Sequence, residues 1–250
     1  MIVSNDSSKH PAAIFPGGRT FEQMYVASRK REYRIYSDEQ VLQLPSIEPS
    51  HIHYQEWQVR KRSVLRLIRY LEKKNKPLSI LETGCGNGWL SGWVSVLNHS
   101  TVTGMDINKT ELNQARRVFG ARPNIHFVEG DLRTIEFGKK FDLILFAASV
   151  QYFPVFEKII RQSLNLLNPA GEIHILDSPF YKKEDLEQAR RRSQLYYDSI
   201  GHGEMAGFYF HHCFDSLNPF SHKFLFDPTR LVNRFFRKKD PFPWVRIVSA

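Results

Sequence analysis

Ser79-Ile80-Leu81-Glu82-Thr83-Gly84-Cys85-Gly86-Asn87-Gly88-Trp89-Leu90-Ser91-Gly92-Trp93 is the stretch whose reading decides the fold. Ser79-Ile80-Leu81 is apolar enough for a buried parallel strand, glycines follow at 84, 86 and 88, and Trp89 onward reads as a helix. Strand, bare backbone turn and helix N-terminus therefore succeed one another. Such a turn lets a ligand lie against the peptide where a Cβ would block it, and the helix end offers unpaired N–H groups and a partial positive charge. A nucleotide-like ligand suits that geometry.

Two acids downstream sharpen the reading. The next apolar segment, Val102-Thr103-Gly104-Met105, ends at Asp106, 20 residues beyond Gly86, where a doubly wound fold places the acid that accepts ribose hydroxyls. A third strand, Ile125 to Val128, runs into Glu129-Gly130-Asp131-Leu132. Glu82-x-Gly84-x-Gly86-x-Gly88, Asp106 and Gly130-Asp131-Leu132 together resemble class I S-adenosylmethionine-dependent methyltransferases. The resemblance spans about residues 79 to 178. It implies S-adenosylmethionine as cofactor, with Glu82, Gly84, Cys85, Gly86 and Gly88 around its methionine end, Asp106 and Ile107 at the ribose, Asp131 and Leu132 at the adenine, and Ala148 beside them. A dinucleotide fold shares the first two glycines and the acid, but it needs a third glycine at position 89, which is Trp.

At 250 residues the chain can bury one sizeable core with appendages. No run approaches the roughly 18 apolar residues of a membrane span, and the first residues do not resemble a secretory signal, so a cytoplasmic location is expected. Cys85 and Cys213 are expected to be free thiols. The net charge of +9 is unevenly distributed: residues 79–179 net −1, residues 1–78 net +6 and residues 180–250 net +4. All the excess positive charge lies in the flanks, which admits an acidic partner (a nucleic acid, phosphorylated metabolite, carboxylate or acidic carrier) as well as a merely solvated basic surface.

The expected fold is α/β: a doubly wound, Rossmann-like, seven-stranded and mostly parallel sheet, with an N-terminal arm and helical extension over residues 1–78, whose segment holding Tyr25, Tyr33, Tyr36 and Tyr54 forms part of a lid, and a methyltransferase domain over 79–250. That domain divides into a cofactor core, 79–178, and a substrate-side insertion with the last strands, 179–250, forming an irregular lid. Residues 1 to 19 read as a flexible arm. Thr20 with Gln23 resembles a capping box for a helix to about Arg34, Ser37 can start a short helix before Pro45, and a long helix spans about Tyr54 to Lys74. Trp57, Val64, Leu65, Ile68 and Leu71 form its apolar stripe, and Arg60, Lys61, Arg62, Arg66 and Arg69 read mainly as a solvated face. Helices at Trp89–Leu97 and Lys109–Phe119 separate the first three strands. Strand four is Phe141–Phe146, a helix runs from Pro154 to about Leu167, Asn168-Pro169-Ala170-Gly171 is a turn, and strand five is Glu172–Leu176. Helices at Lys182–Tyr197 and Pro228–Arg237 and strands at Phe224–Phe226 and Trp244–Val248 complete the chain, the resemblance implying an antiparallel last strand.

Methyl transfer from a sulfonium expels a neutral thioether, so no acid is required, and alignment of the nucleophile dominates. A base is needed only for a nucleophile that carries a high-pKa proton. No catalytic residue is therefore assigned. Tyr152, Gln151 and Ser149 follow strand four, and Ser178, Phe180 and Tyr181 follow strand five; Tyr152, Tyr181, His202, His211 and His212 are the candidates. No metal-ligand spacing surrounds the histidines. The expected function is methyl transfer to a small or medium-sized, possibly acidic, metabolite. An RNA methyltransferase using the basic flanks, or a non-catalytic cofactor-binding protein, are the alternatives. The oligomeric state is not legible.

Overall fold

A computed structural model describes residues 20–97, 99–230 and 240–249. The arm expected over residues 1–19 and most of the helix expected over Pro228–Arg237 lie outside them.

Seven strands form one sheet: β1 (Ser79–Thr83), β2 (Thr101–Asp106), β3 (Ile125–Glu129), β4 (Phe141–Ala147), β5 (Leu167–Leu176), then β8 (Ser221–Phe226) and β9 (Trp244–Val248). A separate parallel pair, β6 (Phe180–Tyr181) and β7 (His212–Cys213), lies in the lid segment. The order across the sheet is β3-β2-β1-β4-β5-β9-β8. The first five strands run parallel, Ile80 pairing with Val102 on one side and Leu143 on the other. β9 is antiparallel to both β5 and β8. The chain winds outward from β1 in one direction and from β4 in the other, so the crevice beyond their carboxyl ends is the switch point where ligands bind in open sheets.

The helices are α1 (Phe21–Arg31), α2 (Asp38–Gln43), α3 (Tyr54–Glu72), α4 (Trp89–Val94), α5 (Lys109–Phe119), α6 (Phe156–Asn165) and α7 (Leu186–Ser199). Both N-terminal capping boxes form, Thr20 with Gln23 and Ser37 with Gln40. One face of the sheet packs on α3, α4 and α5 through Trp57, Leu67, Leu90 and Phe119, and the other on α6 through Phe156, Ile159 and Ile160. A third apolar cluster joins α1 to α7 and the turn after it, through Phe21, Met24, Tyr197, Met205 and Phe208. That cluster holds the flanking segments over the carboxyl ends of the strands.

Several boundaries differ from the sequence reading. α4 stops at Val94 rather than Leu97, where the Ser95 hydroxyl donates to the Gly92 carbonyl and competes with helix propagation. α6 begins at Phe156, because Val150–Tyr152 forms its own 3₁₀ turn. Residues 168–171 lie inside β5 as a bulge: Phe141 pairs with Leu167 and Leu143 with Glu172. On α3 the buried stripe is Trp57, Val64, Leu67 and Leu71, while Leu65 is only partly covered. Its arginines are not simply solvated. Arg62 and Arg66 each donate, at 2.5 Å, to the buried carboxylate of Asp240 just before β9.

Candidate cofactor cleft and adjoining cavity

The turn after β1 is pinned to β2. The N–H groups of Gly84 and Cys85 both donate to the Met105 carbonyl, at 2.8 and 3.0 Å. Gly86 N–H donates to Asp106 Oδ2 at 2.7 Å, and Asn108 N–H to the other carboxylate oxygen at 2.7 Å. Each oxygen keeps a lone pair for a ligand hydroxyl.

Gly84, Gly86 and Gly88 all have positive φ, but a Cβ on each would meet different surroundings. A Cβ on Gly84 would come within 2.6 Å of the Ser149 Cβ, and one on Gly88 within 2.8–2.9 Å of the Phe127 ring and Ala115. Those two glycines admit protein, β4's extension and the α5–β3 packing, rather than a ligand. A Cβ on Gly86 would meet only the Glu111 carboxylate, at 3.1 Å.

Gly84, Gly86, Asp106, Ile107, Asp131, Leu132 and Ala148 line one cleft, as expected of ligand-facing residues. Gly88 does not line it, and Glu82 and Cys85 lie behind the turn, facing a smaller recess. Glu82 is buried and accepts from the Ser91 hydroxyl; burial, above all, pushes its pKa up to about 8. The Cys85 thiol is buried and its pKa is raised by the same cause. Asp131 is turned onto Arg133, which bonds its carboxylate through both side chain and backbone N–H.

Four contributors were not assigned to this cleft from the sequence, Tyr25 being expected only as part of a lid. Phe21 and Tyr25 of α1 roof the cleft. Glu111, from the first turn of α5, faces Gly86, and burial followed by the charge of Asp106 raises its pKa to about 7. The Thr83 hydroxyl lines the cleft, is buried and has no hydrogen-bond partner among the described residues. An orphaned buried hydroxyl at a cavity wall marks a place for a polar ligand atom.

Above about pH 7, where Glu111 ionises, a cleft walled by Asp106 and Glu111 favours a cationic ligand. Its arginine, Arg133, is already paired with Asp131. A sulfonium and an ammonium fit this electrostatic surrounding better than a dinucleotide's pyrophosphate, which seeks unpaired cations or free helix N–H groups.

Beyond Ala148 and Tyr152 opens a larger cavity of about 680 Å³. Those two residues line both spaces. Arg29, Arg34 and Arg60 form one wall, Tyr152, Tyr181 and Tyr209 another, and Asp177 also borders the space. Asp177 has φ +52°, and burial raises its pKa to about 6 against the charge of Arg60.

Of the candidate catalytic residues, Tyr152 and Tyr181 face this cavity. His212 is buried, its Nε2 paired with the Val150 carbonyl at 3.1 Å. His211 packs on the Tyr181 and Tyr209 rings and shares a hydrogen bond with Ser193; burial and Arg190 lower its pKa to about 4. His202 lies at the turn after α7 and does not line either space. Among the described residues no group of acids, histidines and cysteines could hold a metal ion, and no helix is long and apolar enough to cross a membrane. Both cysteines are free.

Comparison with known proteins places this geometry. Residues 80–171 match a family model described as a methyltransferase domain. The malonyl-[acyl-carrier protein] O-methyltransferase of Halalkalibacterium halodurans is 25% identical over 147 residues, 55% of this chain and 54% of that protein. The trans-aconitate 2-methyltransferase of Escherichia coli is 28% identical over 120 residues, 46% of this chain and 45% of its own. The chain thus spans about half the length of the curated relatives it matches. The crystal structure of magnesium protoporphyrin IX methyltransferase from Synechocystis PCC 6803 with bound S-adenosylmethionine superposes with a TM-score of 0.56 over 89% of this chain and 97% of that one. At 15% identity that likeness concerns the fold.

Proposed function

We propose that the chain is a class I S-adenosylmethionine-dependent methyltransferase, as the methyltransferase-domain match over residues 80–171 and the methyltransferase relatives support, and that it methylates a small or medium-sized acidic metabolite held in the larger cavity. The observation that carries this is the shared wall: Ala148 and Tyr152 border both the glycine cleft and the arginine- and tyrosine-lined space, so a donor in one and an acceptor in the other meet there.

In this reading S-adenosylmethionine, when bound, supplies an electrophilic methyl group. Asp106 offers its remaining lone pairs to the ribose with Ile107 beside it, Thr83 Oγ1 gains a polar partner, and Leu132 packs the adenine. Phe21 and Tyr25 exclude water from above. What the chain adds to the chemistry is alignment of the nucleophile, which in good cases is worth on the order of 7–11 kcal/mol.

An acidic acceptor is supported by Arg192, which lines the cavity without an ion pair among the described residues, and by the names of two relatives, which carry malonyl and aconitate groups, both carboxylic acids. An RNA substrate is less well supported, because the flank arginines are engaged within the chain: Arg34 and Arg60 with Glu56, Arg62 and Arg66 with Asp240, Arg117 with Asp38. A counterion-releasing grip needs free cations.

The test is to incubate the full chain with methyl-labelled S-adenosylmethionine, a small-molecule extract and total RNA in parallel. Label should appear in a low-molecular-weight acidic fraction and be lost with Asp106→Ala. Label in RNA, or in neither, would overturn the assignment.

A further inference from the structure

Resting on that reading, the walls of the larger cavity carry information about the acceptor. Among the described residues their charged groups are three acids, Glu32, Glu56 and Asp177, and four arginines, Arg29, Arg34, Arg60 and Arg192. Glu56 is shared by Arg34 and Arg60, with donor distances of 2.5–3.1 Å. Glu32 is bonded by Arg29 at 3.1 Å and by the Tyr196 hydroxyl, with Arg34 Nε at 3.3 Å. Arg192 has neither ion pair nor hydrogen bond among the described residues, and it sits on exposed α7 at the mouth. One guanidinium is therefore in surplus, enough for one carboxylate held bidentately, and too few for a phosphate dianion.

The second feature is a set of tyrosine rings on the wall, Tyr181, Tyr209 and Tyr152, with His211 packed between the first two but not lining the cavity. Tyr181 and His211 are 5.3 Å apart by ring centroid, His211 and Tyr209 5.3 Å, and Tyr209 and Tyr152 6.0 Å. The charge of Arg192 is felt at Tyr181 and His211, the outer end, whereas Tyr152 at the inner end adjoins the cofactor cleft. Burial raises the pKa of Tyr152, Tyr181 and Tyr209 alike, so all three present neutral rings and phenolic donors. Aromatic faces and edges arranged this way favour a planar ligand in offset or edge contact. A volume of about 680 Å³ lies in the range, roughly 300–1,000 Å³, of sites for such ligands.

We propose that the larger cavity takes a flat aromatic carboxylic acid, its carboxylate held by Arg192 at the mouth and its methyl-accepting atom presented at Ala148 and Tyr152. The acid is then an anchor, and the methylated atom is a different one at the far end of the ring system.

The test uses the full chain saturated with S-adenosylhomocysteine and calorimetric titration of two probes, 4-hydroxycinnamate and 6-hydroxy-2-naphthoate, against their neutral carboxamides. At least one acid should bind about tenfold or more tightly than its amide, the difference a hydrogen-bonded charge supports. Arg192→Gln should erase that preference and Arg192→Lys should keep part of it. Equal binding of acid and amide, no binding by either acid, or a preference that survives Arg192→Gln would overturn the proposal while leaving the methyltransferase reading standing. Failure of S-adenosylhomocysteine to bind in the first step would overturn both.

Discussion

Gly86 N–H donates to Asp106 Oδ2 at 2.7 Å, so the acid that ends β2 also fixes the turn that ends β1. One carboxylate thus shapes the cleft floor and keeps lone pairs facing it. Replacing Asp106 by Ala removes both functions, and affinity for S-adenosylhomocysteine should fall about 100-fold, close to 3 kcal/mol. Asp106→Asn can still accept from Gly86 and should lose less. Isothermal titration of both variants separates the two contributions.

Gly88 and Gly86 should respond differently to Ala. Both have positive φ, which costs a side chain about 1–2 kcal/mol. At Gly88 the new Cβ also strikes the Phe127 ring and Ala115, so urea unfolding should register about 2 kcal/mol of additional destabilisation. At Gly86 it meets only the Glu111 carboxylate. Gly86→Ala should therefore lose only the roughly 1–2 kcal/mol of backbone strain, less than Gly88→Ala, yet bind S-adenosylhomocysteine poorly.

Thr83→Val replaces an unpartnered buried hydroxyl by a methyl group of similar shape. The unliganded protein should lose no stability, since no hydrogen bond is broken. Cofactor binding should weaken about 3- to 10-fold, the worth of one ordinary hydrogen bond. Melting temperatures with and without S-adenosylhomocysteine give both numbers from one series.

Three buried carboxyls hold protons that the unfolded chain would release. Burial places Glu82 at about 8, Glu111 at about 7 and Asp177 at about 6, against ordinary values of 4.5, 4.5 and 3.8. Between those ordinary values and about pH 8 the folded state binds more protons, so stability falls as pH rises. Glu56 and Glu172 act oppositely, but their pKa values near 2 confine that effect to acid below about pH 4.5. Glu82→Gln should accordingly flatten the decline of melting temperature between pH 5 and 8.5, and be more stable than the parent at the upper end by a few kcal/mol or less. A parent whose stability is level across that window would show that Glu82 ionises in the fold.

The signals legible in the sequence were local ones. Strand, glycine turn and helix succeed one another within Ser79–Trp93, and Asp106 and Asp131 follow their strands directly, so order along the chain sufficed to place them. The seven-strand count and the antiparallel β9 came from the family resemblance that those motifs carry, and the order of the strands across the sheet came only with the structure. What stayed hidden depends on distant packing. Phe21 and Tyr25 reach the cleft from a helix about 60 residues upstream of the glycine turn, and nothing in α1's own periodicity says which surface it will roof. Arg62 and Arg66 read as a solvated face because Asp240 lies some 170 residues away and becomes their neighbour only when β9 joins the sheet. The glycine triplet was found for a partly different reason than the one it serves: spacing revealed the turn, but only atomic contacts show that Gly84 and Gly86 border the cleft while Gly88 does not, and that a Cβ on Gly84 or Gly88 would strike Ser149 or Phe127.

The central claim is that the cleft beside Gly86 and Asp106 is built for an adenosyl sulfonium donor. Calorimetric titration of the full chain with S-adenosylhomocysteine and, separately, with NAD tests it most directly. Saturable one-to-one binding of S-adenosylhomocysteine, lost with Asp106→Ala, together with no heat from NAD, is the predicted result. Binding of NAD, or of neither compound, would contradict it.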